Sequence, residues 1–566
     1  LLSMSAAEPI HDLAGELLGY LTPIAEHDRE DSAIWQLLAS WREKHQYAYP
    51  SRFKVTSSGT GLWLSKAVLD NKNRIIFWIR DKNMIPLGHI GIIFSESDGT
   101  FEIDNVLRGE AGSPGIMKYA MLKIESWVEE EFSGETMQLR VLKSNQRALN
   151  FYESLGYVTT KETPLVREVN EEGYVLLEGT PADDFFVTKT KIIVKQGVPE
   201  LILTAGPSIG SLERTFGLSA ISSGWNTRHS DFLNSFEKSF ADYVGAKYAM
   251  ATSSCTGALH LSLLALGVGP GDEVVVPEVT WVATASAVRY VGATPVFADI
   301  DPGTWTITRE TVSKVLTSKT RAIMPVHLYG FGAQMNDLME LAREKDLAVV
   351  EDAAPAIGTL VDGKAAGTFG DFGCYSFQGA KMLVTGEGGM LVTDNEDLFM
   401  KARKIQDHGR RVGTFWIDEL GYKYKMSNTT AAIGLGQLIR GENQIFRKQR
   451  IRSWYEEELA GVEQLSFQVE AKNTRSIHWM NSIKLSNQLS ISRDEFMKEL
   501  KSHGIDSRPV FPAISQYPFW PETSAAKENA QIVGDSSINL PSGVLLTRET
   551  IAKIGSVVRK ITSDNV

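Results

Sequence analysis

The stretch Cys374-Tyr-Ser-Phe-Gln-Gly-Ala-Lys381, which runs into Gly386-Glu-Gly-Gly389, constrains this chain more than any other. A hydroxyl, a lysine five residues later and a glycine-rich run cohere if Lys381 holds an aldehyde cofactor as a Schiff base while Ser376 holds its phosphate. Pyridoxal phosphate has both handles. Read alone, Lys381 is equally well a solvated charge in a glycine-rich turn.

Three upstream stretches bear on that choice. Glu351-Asp352-Ala-Ala354 follows the apolar run Leu347-Ala-Val-Val350. A short apolar run ending in acids and small residues fits a buried parallel strand whose carboxyl end faces a ligand. Asp352 is then a partner for a pyridinium nitrogen, since a carboxylate keeps that nitrogen protonated and the ring electron-accepting. Ala354 leaves room for a flat ring. Thr252-Ser-Ser-Cys-Thr256 precedes the apolar pattern of residues 258–266. Hydroxyls there cap the first amides of a helix, whose dipole adds to a phosphate site. Thr256, with Ser254 and Cys255 beside it, is the phosphate residue on this reading, and a plain cap is the alternative. Trp281 follows the strand Glu273-Val-Val-Val276 and is placed to stack on a cofactor ring, or else to fill a core.

In order and spacing these pieces resemble the DegT-like nucleotide-sugar aminotransferases of pyridoxal phosphate fold type I, nearest the GDP-perosamine synthase group. The resemblance runs from about Leu201 to Val566 and rests on TSSCTGALHL, PGDEVVVP, TWVATASAV, VEDAAPAIG, SFQGAK and GYKYKMSN. It implies a cofactor-bearing Lys381, a pyridinium contact from Asp352, ring stacking by Trp281 and phosphate contacts from Thr256 and Ser376. Related sugar dehydratases carry histidine in place of this lysine, so the resemblance implies transamination. Two positions depart from the family: Pro355 stands where a side-chain hydrogen bonder is usual, and Cys255 where glycine is common.

The resemblance also implies at least a homodimer. Gly421-Tyr-Lys-Tyr-Lys425-Met-Ser-Asn428 sits where the family sends a loop to a neighbouring subunit, with Lys423, Lys425 or Asn428 reaching that subunit's cofactor phosphate. From the residues alone the run is a basic, aromatic loop before a helix. Trp225 and Asn226 lie near the family's substrate mouth, Arg508 lies in Ser507-Arg-Pro-Val-Phe511, and His327 ends a strand on the cofactor side; these are substrate candidates. A structural role for His327 is the alternative.

With 566 residues, more than one domain is expected, and 43% hydrophobic content suits a globular protein. A net charge of 58 minus 69, or −11, gives no general attraction to nucleic acid or anionic membrane. Two cysteines, Cys255 and Cys374, argue against a disulfide framework or a cysteine metal site, and no metal is expected. No basic segment precedes an apolar run at the start, and no apolar run approaches the ~18 residues of a membrane span, so a cytoplasmic setting is expected.

Residues 1–195 read as a separate domain. Residues 32–41 have helical spacing, and residues 74–79 and 87–93 read as paired strands. The strand Phe101-Glu-Ile-Asp-Asn-Val-Leu107 leads into a loop with Arg108, Gly109, Gly112 and Gly115, then a helix over 117–132. Strand, glycine loop and helix make an anion cradle. With the later Asn145 and Asn150-Phe-Tyr152-Glu-Ser-Leu-Gly156-Tyr157, residues 30–180 resemble the GNAT acyltransferases. That resemblance implies acetyl-CoA pyrophosphate on the loop of 108–115, a cofactor contact from Asn145, and Tyr152 as acid to the leaving thiolate. Pro114 interrupts the family's loop pattern. Glu102 and Asp104 alternate onto one strand face and are candidate bases for the amine, or else a solvated, paired face.

The fold expected is therefore α/β: a GNAT-like α+β domain over 1–195, a boundary at 196–199, and an aminotransferase domain over 200–566. The latter divides into a large, mostly parallel subdomain of about 230–440 and a small α+β subdomain of about 445–566. The expected chemistry is transamination of a nucleotide-linked keto-deoxysugar, a 4-keto-6-deoxyhexose by family weight, with glutamate as donor. Acetyl-CoA-dependent N-acetylation of the new amine follows. The alternative is an aminotransferase whose amino-terminal domain is a non-catalytic binding or oligomerisation module.

Overall fold

A computed structural model describes residues 7–12, 16–95, 100–132, 136–170, 173–192, 201–411, 413–520 and 527–566. The chain separates into two compact units: Leu1–Gly197 with Gly210–Thr215, and Val198–Ile209 with Phe216–Val566. The short stretch Gly210–Thr215 thus groups with the first unit, where Ser211 Oγ donates to the Leu122 carbonyl at 2.8 Å. Sequence alone had assigned it to the second, because no composition change marks it.

In the first unit Leu17–Pro23, Arg74–Asp81, Pro86–Ser95 and Thr100–Arg108 pair antiparallel in that order. Ile76, Phe77, Trp78 and Ile79 are all buried, so both faces of their strand are covered and the usual alternation is lost. Asp31 caps the helix Ser32–Lys44 by accepting from the Ala33 and Ile34 amides, and Leu38 and Trp41 of that helix join Trp78 and Ile76 in the core. The strand Asp184–Ile192 is internal to the sheet. It lies between Thr136–Leu142 and Val158–Asn170, antiparallel to both.

The feature that positions a site is where Thr100–Arg108 meets Thr136–Leu142. The two pair in parallel only from Phe101 opposite Met137 to Ile103 opposite Leu139. A register shift between His89 and Gly91, with Asn105 at φ +47°, bends the first strand away. Residues 104–108 and 140–142 are left unpaired with each other, their main-chain groups facing a wedge.

The second unit is built on a seven-stranded sheet. Ala348–Asp352, Thr320–Ile323, Glu273–Pro277 and Thr294–Ala298 run parallel, with Phe372–Ser376 parallel on the other side of Ala348–Asp352. Gly389–Thr393 enters antiparallel between Phe372–Ser376 and Tyr248–Thr252. The helix Cys255–Leu266 is apolar nearly all round and its Leu259, Leu261 and Leu263 are buried, as a helix inside a core must be. Gly267 ends it at φ +79°, where a side chain would be strained. The small subdomain packs a four-stranded antiparallel sheet, which includes Asn481–Leu485 and Ser537–Leu540, beside the helices Gly441–Glu458, Arg493–Ser502 and Arg548–Ser563. Among the described residues no helix is long and apolar enough to cross a membrane, and no cluster of His, Cys, Asp and Glu is arranged to hold a metal ion.

Candidate active sites

Parallel strands deliver their carboxyl ends to one edge of the sheet, where open α/β folds bind ligands. Asp352 ends Ala348–Asp352 and Ser376 ends Phe372–Ser376, its neighbour in the sheet. Alternation along the first strand sends the two adjacent acids to different surroundings. Glu351 is fully buried and accepts from the amides of Gly367, Phe369 and Gly370 at 2.8, 2.6 and 2.8 Å, an arrangement that fixes a loop. Asp352 is 5% exposed and accepts from Thr284 Oγ1 at 2.7 Å and the Ala354 amide at 3.1 Å. Burial raises its pKa, while those two hydrogen bonds and then the Lys381 charge pull the other way.

Lys381 lies within electrostatic reach of Asp352. Burial lowers its pKa against the opposing pull of Asp352 and Cys255. Its amine rests 4.1 Å over the Trp479 ring. At the other end, Ser254 caps the helix Cys255–Leu266 by accepting from the Gly257 amide at 3.0 Å, and Ser376 Oγ accepts from the Gln378 amide at 3.3 Å. Gly389 is required between them, since a Cβ there would lie 2.5 Å from the Cys255 nitrogen. The donor set matches pyridoxal phosphate: a buried carboxylate for a ring nitrogen, a lysine, and the hydroxyls of Thr256 and Ser376 with a helix amino terminus for a phosphate. Trp281 stands half-exposed, 5.6 Å from Phe511.

A cavity of about 390 Å³ lies alongside, lined by Tyr329, Ala380, Trp479, Arg508, Phe511 and Asn539 among others. Arg508 is exposed and paired at 3.4 Å with Asp506, so the structure brings it into the same neighbourhood as Lys381. His327 is different. It is fully buried, its Nε2 is 3.0 Å from Glu351 and its Nδ1 accepts from the Ala333 amide, so neither ring nitrogen is open to a substrate. Its place at a strand end suggested a ligand, but its ring turns to the Glu351 side.

Trp225 is exposed, with its indole donating to the Ile221 carbonyl, and Asn226 takes a left-handed φ of +54°. Asn428 donates to the Gly224 carbonyl, and its Oδ1 accepts from the Phe232 and Leu233 amides at 3.0 and 3.2 Å. Its side chain, expected at a neighbouring subunit, is committed to its own chain. Lys423 pairs with Asp407 at 3.0 Å, and Lys425 bridges Thr252 through its backbone. Sequence reasoning missed Thr284 and Trp479. A hydroxyl three residues after Trp281 was a usable signal for the first; nothing local marked the second.

In the first unit Tyr152 is buried, and its hydroxyl is held well above its ordinary pKa, first by burial and then by Tyr49 and by Asp104 of the strand that parts from Thr136–Leu142. Asp104 is therefore the nearer of the two carboxylates. It pairs with Arg74 and accepts from Asn105 Nδ2 at 2.6 Å, whereas Glu102 pairs with Arg140 at 2.9 Å. Arg42 lies 3.3 Å over the Tyr49 ring and donates to the Ser51 carbonyl, a contact that the sequence did not announce. Arg108 folds back onto the Glu110 and Gly112 carbonyls at 3.2 and 3.1 Å. Gly109 has no room for a Cβ, which would meet the Trp41 ring at 2.0 Å, and Gly115 has φ +81° just before the helix Ile116–Phe132. Asn145 caps the helix Gln146–Ser154 by accepting from the Ala148 amide at 3.2 Å.

Residues 210–559 match the model of the DegT/DnrJ/EryC1/StrS aminotransferase family. The chain belongs to that family. It also carries an amino-terminal GNAT domain, with residues 33–157 matching the acetyltransferase (GNAT) family. The DegT/DnrJ/EryC1/StrS portion is 39% identical over 358 residues to GDP-perosamine synthase of Caulobacter vibrioides, covering 62% of this chain and 96% of that protein. It is 37% identical over 359 residues to GDP-perosamine synthase of Escherichia coli O157:H7, covering 63% and 98%. Among solved structures, the aminotransferase TlmJ from Streptoalloteichus hindustanus superposes with a TM-score of 0.61 at 29% identity, over 64% of this chain and 99% of that one. The protein is thus a pyridoxal-phosphate-dependent aminotransferase of fold type I.

Proposed function

We propose that the protein performs two consecutive steps on one nucleotide-linked sugar: transamination of a 4-keto-6-deoxyhexose with glutamate as donor, then acetyl-CoA-dependent N-acetylation of the new amine. The substrate class follows the similarity to the two GDP-perosamine synthases. The order follows from chemistry, because the first unit can acylate only an amine that the second has made.

Pyridoxal phosphate, when bound, supplies an aldehyde for an amine and a ring that accepts the electron pair left by a departing proton. Lys381 holds it and then moves the proton at the reacting carbon; burial lowers the lysine pKa and enlarges the basic fraction near neutrality. Asp352 keeps the ring nitrogen protonated, and Thr284 and the Ala354 amide keep Asp352 aimed. Thr256, Ser376 and the first amides of Cys255–Leu266 hold the phosphate. Trp281 covers the ring face, and Arg508 draws the donor carboxylate toward the cavity. In the first unit the loop of 108–115 receives the pyrophosphate, the wedge receives the pantetheine arm as an added strand, and Tyr152 protonates the leaving thiolate.

The protein acts as a cytoplasmic homodimer or larger assembly, with Lys423 and Lys425 the side chains of the 421–428 loop that are candidates to reach the partner's cofactor phosphate. The hairpin closed by the Arg410–Ile417 bridge supports an assembly, because it exposes Phe415 and Trp416, with Leu420 exposed just after it, next to that loop.

The observation that carries the reading is the convergence of Lys381 with the buried, double-hydrogen-bonded Asp352. Purified protein is to be incubated with glutamate and a panel of nucleotide-linked ketosugars, with and without acetyl-CoA, and followed by mass spectrometry. An aminated product is expected first and its N-acetyl form second. Absence of amination across the panel, or borohydride fixation of the cofactor on another residue, refutes the reading. A second reading, a non-catalytic first unit, draws on the ion pairing of both Glu102 and Asp104; it predicts no thiol release from acetyl-CoA when the amino sugar is present.

A further inference from the structure

We propose that Trp479 is a positioning residue that holds the free amine of Lys381 at a fixed place, and that Lys448 holds Trp479. The proposal rests on the assignment of Lys381 as the cofactor lysine. A lysine on a four-carbon stem has many rotamers, and one that must carry a proton to a chosen atom gains from being held near it. The Lys381 amine sits 4.1 Å from the centre of the Trp479 ring, a geometry in which the ring's negative face attracts the charged amine. Unlike an ion pair with a carboxylate, this contact is weak enough to release the amine.

Trp479 is itself fastened on three sides. Its indole nitrogen donates at 2.8 Å to the carbonyl of Ala380, the residue before Lys381, so ring and lysine are keyed to the same backbone. Its own carbonyl accepts from Lys448 Nζ at 2.8 Å, and Lys448 also donates to the Ser542 carbonyl. The Tyr329 ring lies 5.9 Å away at 30°. Trp479 is 6% exposed and Lys448 4%.

Lys448 is otherwise hard to explain. It is a buried amine with two carbonyl acceptors, and burial alone brings its pKa to about 7. A methionine would fill that volume without the desolvation penalty. A lysine makes sense there if tying Trp479 to Ser542 matters more than the stability lost. The titratable groups that bear on Lys381 are Asp352 and Cys255, both of which oppose the lowering by burial.

The test uses the full-length chain freed of cofactor, so that it does not depend on catalysis. Competitive acetic anhydride labelling across pH, with the Lys381 peptide quantified by mass spectrometry, gives the amine's apparent pKa in wild type, Trp479→Phe, Trp479→Leu and Lys448→Met. Removal of the ring in Trp479→Leu should lower that pKa by about half to one pH unit. Trp479→Phe should fall between, and Lys448→Met should shift in the same direction. In the loaded enzyme the same variants should lose kcat by about tenfold with little change in KM. An unchanged labelling curve in Trp479→Phe and Trp479→Leu overturns the proposal; an unchanged curve in Lys448→Met alone overturns the Lys448 part. If borohydride fixes the cofactor elsewhere while the curve still shifts, the ring contact stands and the catalytic assignment falls.

Discussion

At the residue scale, what distinguishes this site is how many groups serve Asp352. The carboxylate is buried within electrostatic reach of Lys381, so its function depends on being held, and Thr284 is the side chain that holds it. Asp352→Asn should lower kcat for transamination by about 10²- to 10³-fold, since it removes the charge that keeps the ring electron-accepting. Thr284→Val, which leaves the charge and removes one hydrogen bond worth about 1 kcal/mol, should cost about five- to tenfold. Steady-state kinetics of both variants checks the ranking, and equal losses would contradict the positioning role of Thr284. A second residue-scale outcome concerns His89 in the first unit. It is buried, its Nδ1 is 2.6 Å from the Asn105 carbonyl, and burial brings its pKa down to about 4 from 6.5. Between those values the unfolded chain binds a proton that the folded one refuses, so stability is present above pH 6.5 and is lost as pH falls toward 4. The stability gap between wild type and His89→Gln should shrink by roughly 3 kcal/mol over that window. Urea equilibria at each pH, read by pulsed hydrogen exchange in Pro86–Ser95, measure it.

At the level of elements, the helix Asp231–Val244 begins at Ser230, whose side chain makes no capping bond. Its first amides are satisfied instead by Asn428, almost two hundred residues later, which also reaches back to Gly224. One amide side chain, on the first residue of the helix Asn428–Ile439, therefore ties that helix both to the start of Asp231–Val244 and to the segment before it. Asn428→Ala should destabilise the unit by about 1 kcal/mol and speed amide exchange at the start of Asp231–Val244 about fivefold, whereas Asn428→Asp, which keeps the acceptor, should change both much less. The same scale shows why some elements were legible. Apolar runs with clear ends, such as residues 74–79 or 347–352, announced buried strands through composition. The placement of Asp184–Ile192 inside the sheet did not show, because an interior and an edge strand can share one local pattern.

For the whole molecule the question is whether the two units act independently on one product. Each has its own core and its own candidate chemistry. Tyr152→Phe should reduce thiol release from acetyl-CoA by about 10²- to 10⁴-fold and leave transamination within twofold of wild type. Parallel thiol-release and amination assays on the same preparation decide it, and a matching fall in both would mean that the units are coupled.

The sequence by itself determined the family and with it the kind of chemistry: it offers Lys381, Asp352, Thr256 and Ser376 as the cofactor candidates by residue type and spacing, because a cofactor with a fixed shape demands fixed groups at fixed points along the strands that carry it. It also determined that the chain joins two kinds of domain, since each brings its own contiguous motif. What only the tertiary structure decided is how those groups are held and which acids are free to act. Glu351 and Asp352 are neighbours in sequence and opposites in role, and His327 goes with Glu351. Thr284, Trp479 and Lys448 reach the site from separate parts of the chain. Spacing along a chain records which residues a strand or loop presents, but burial, hydrogen bonding and charge depend on contacts across tens to hundreds of residues, and those exist only once the sheet has closed over them.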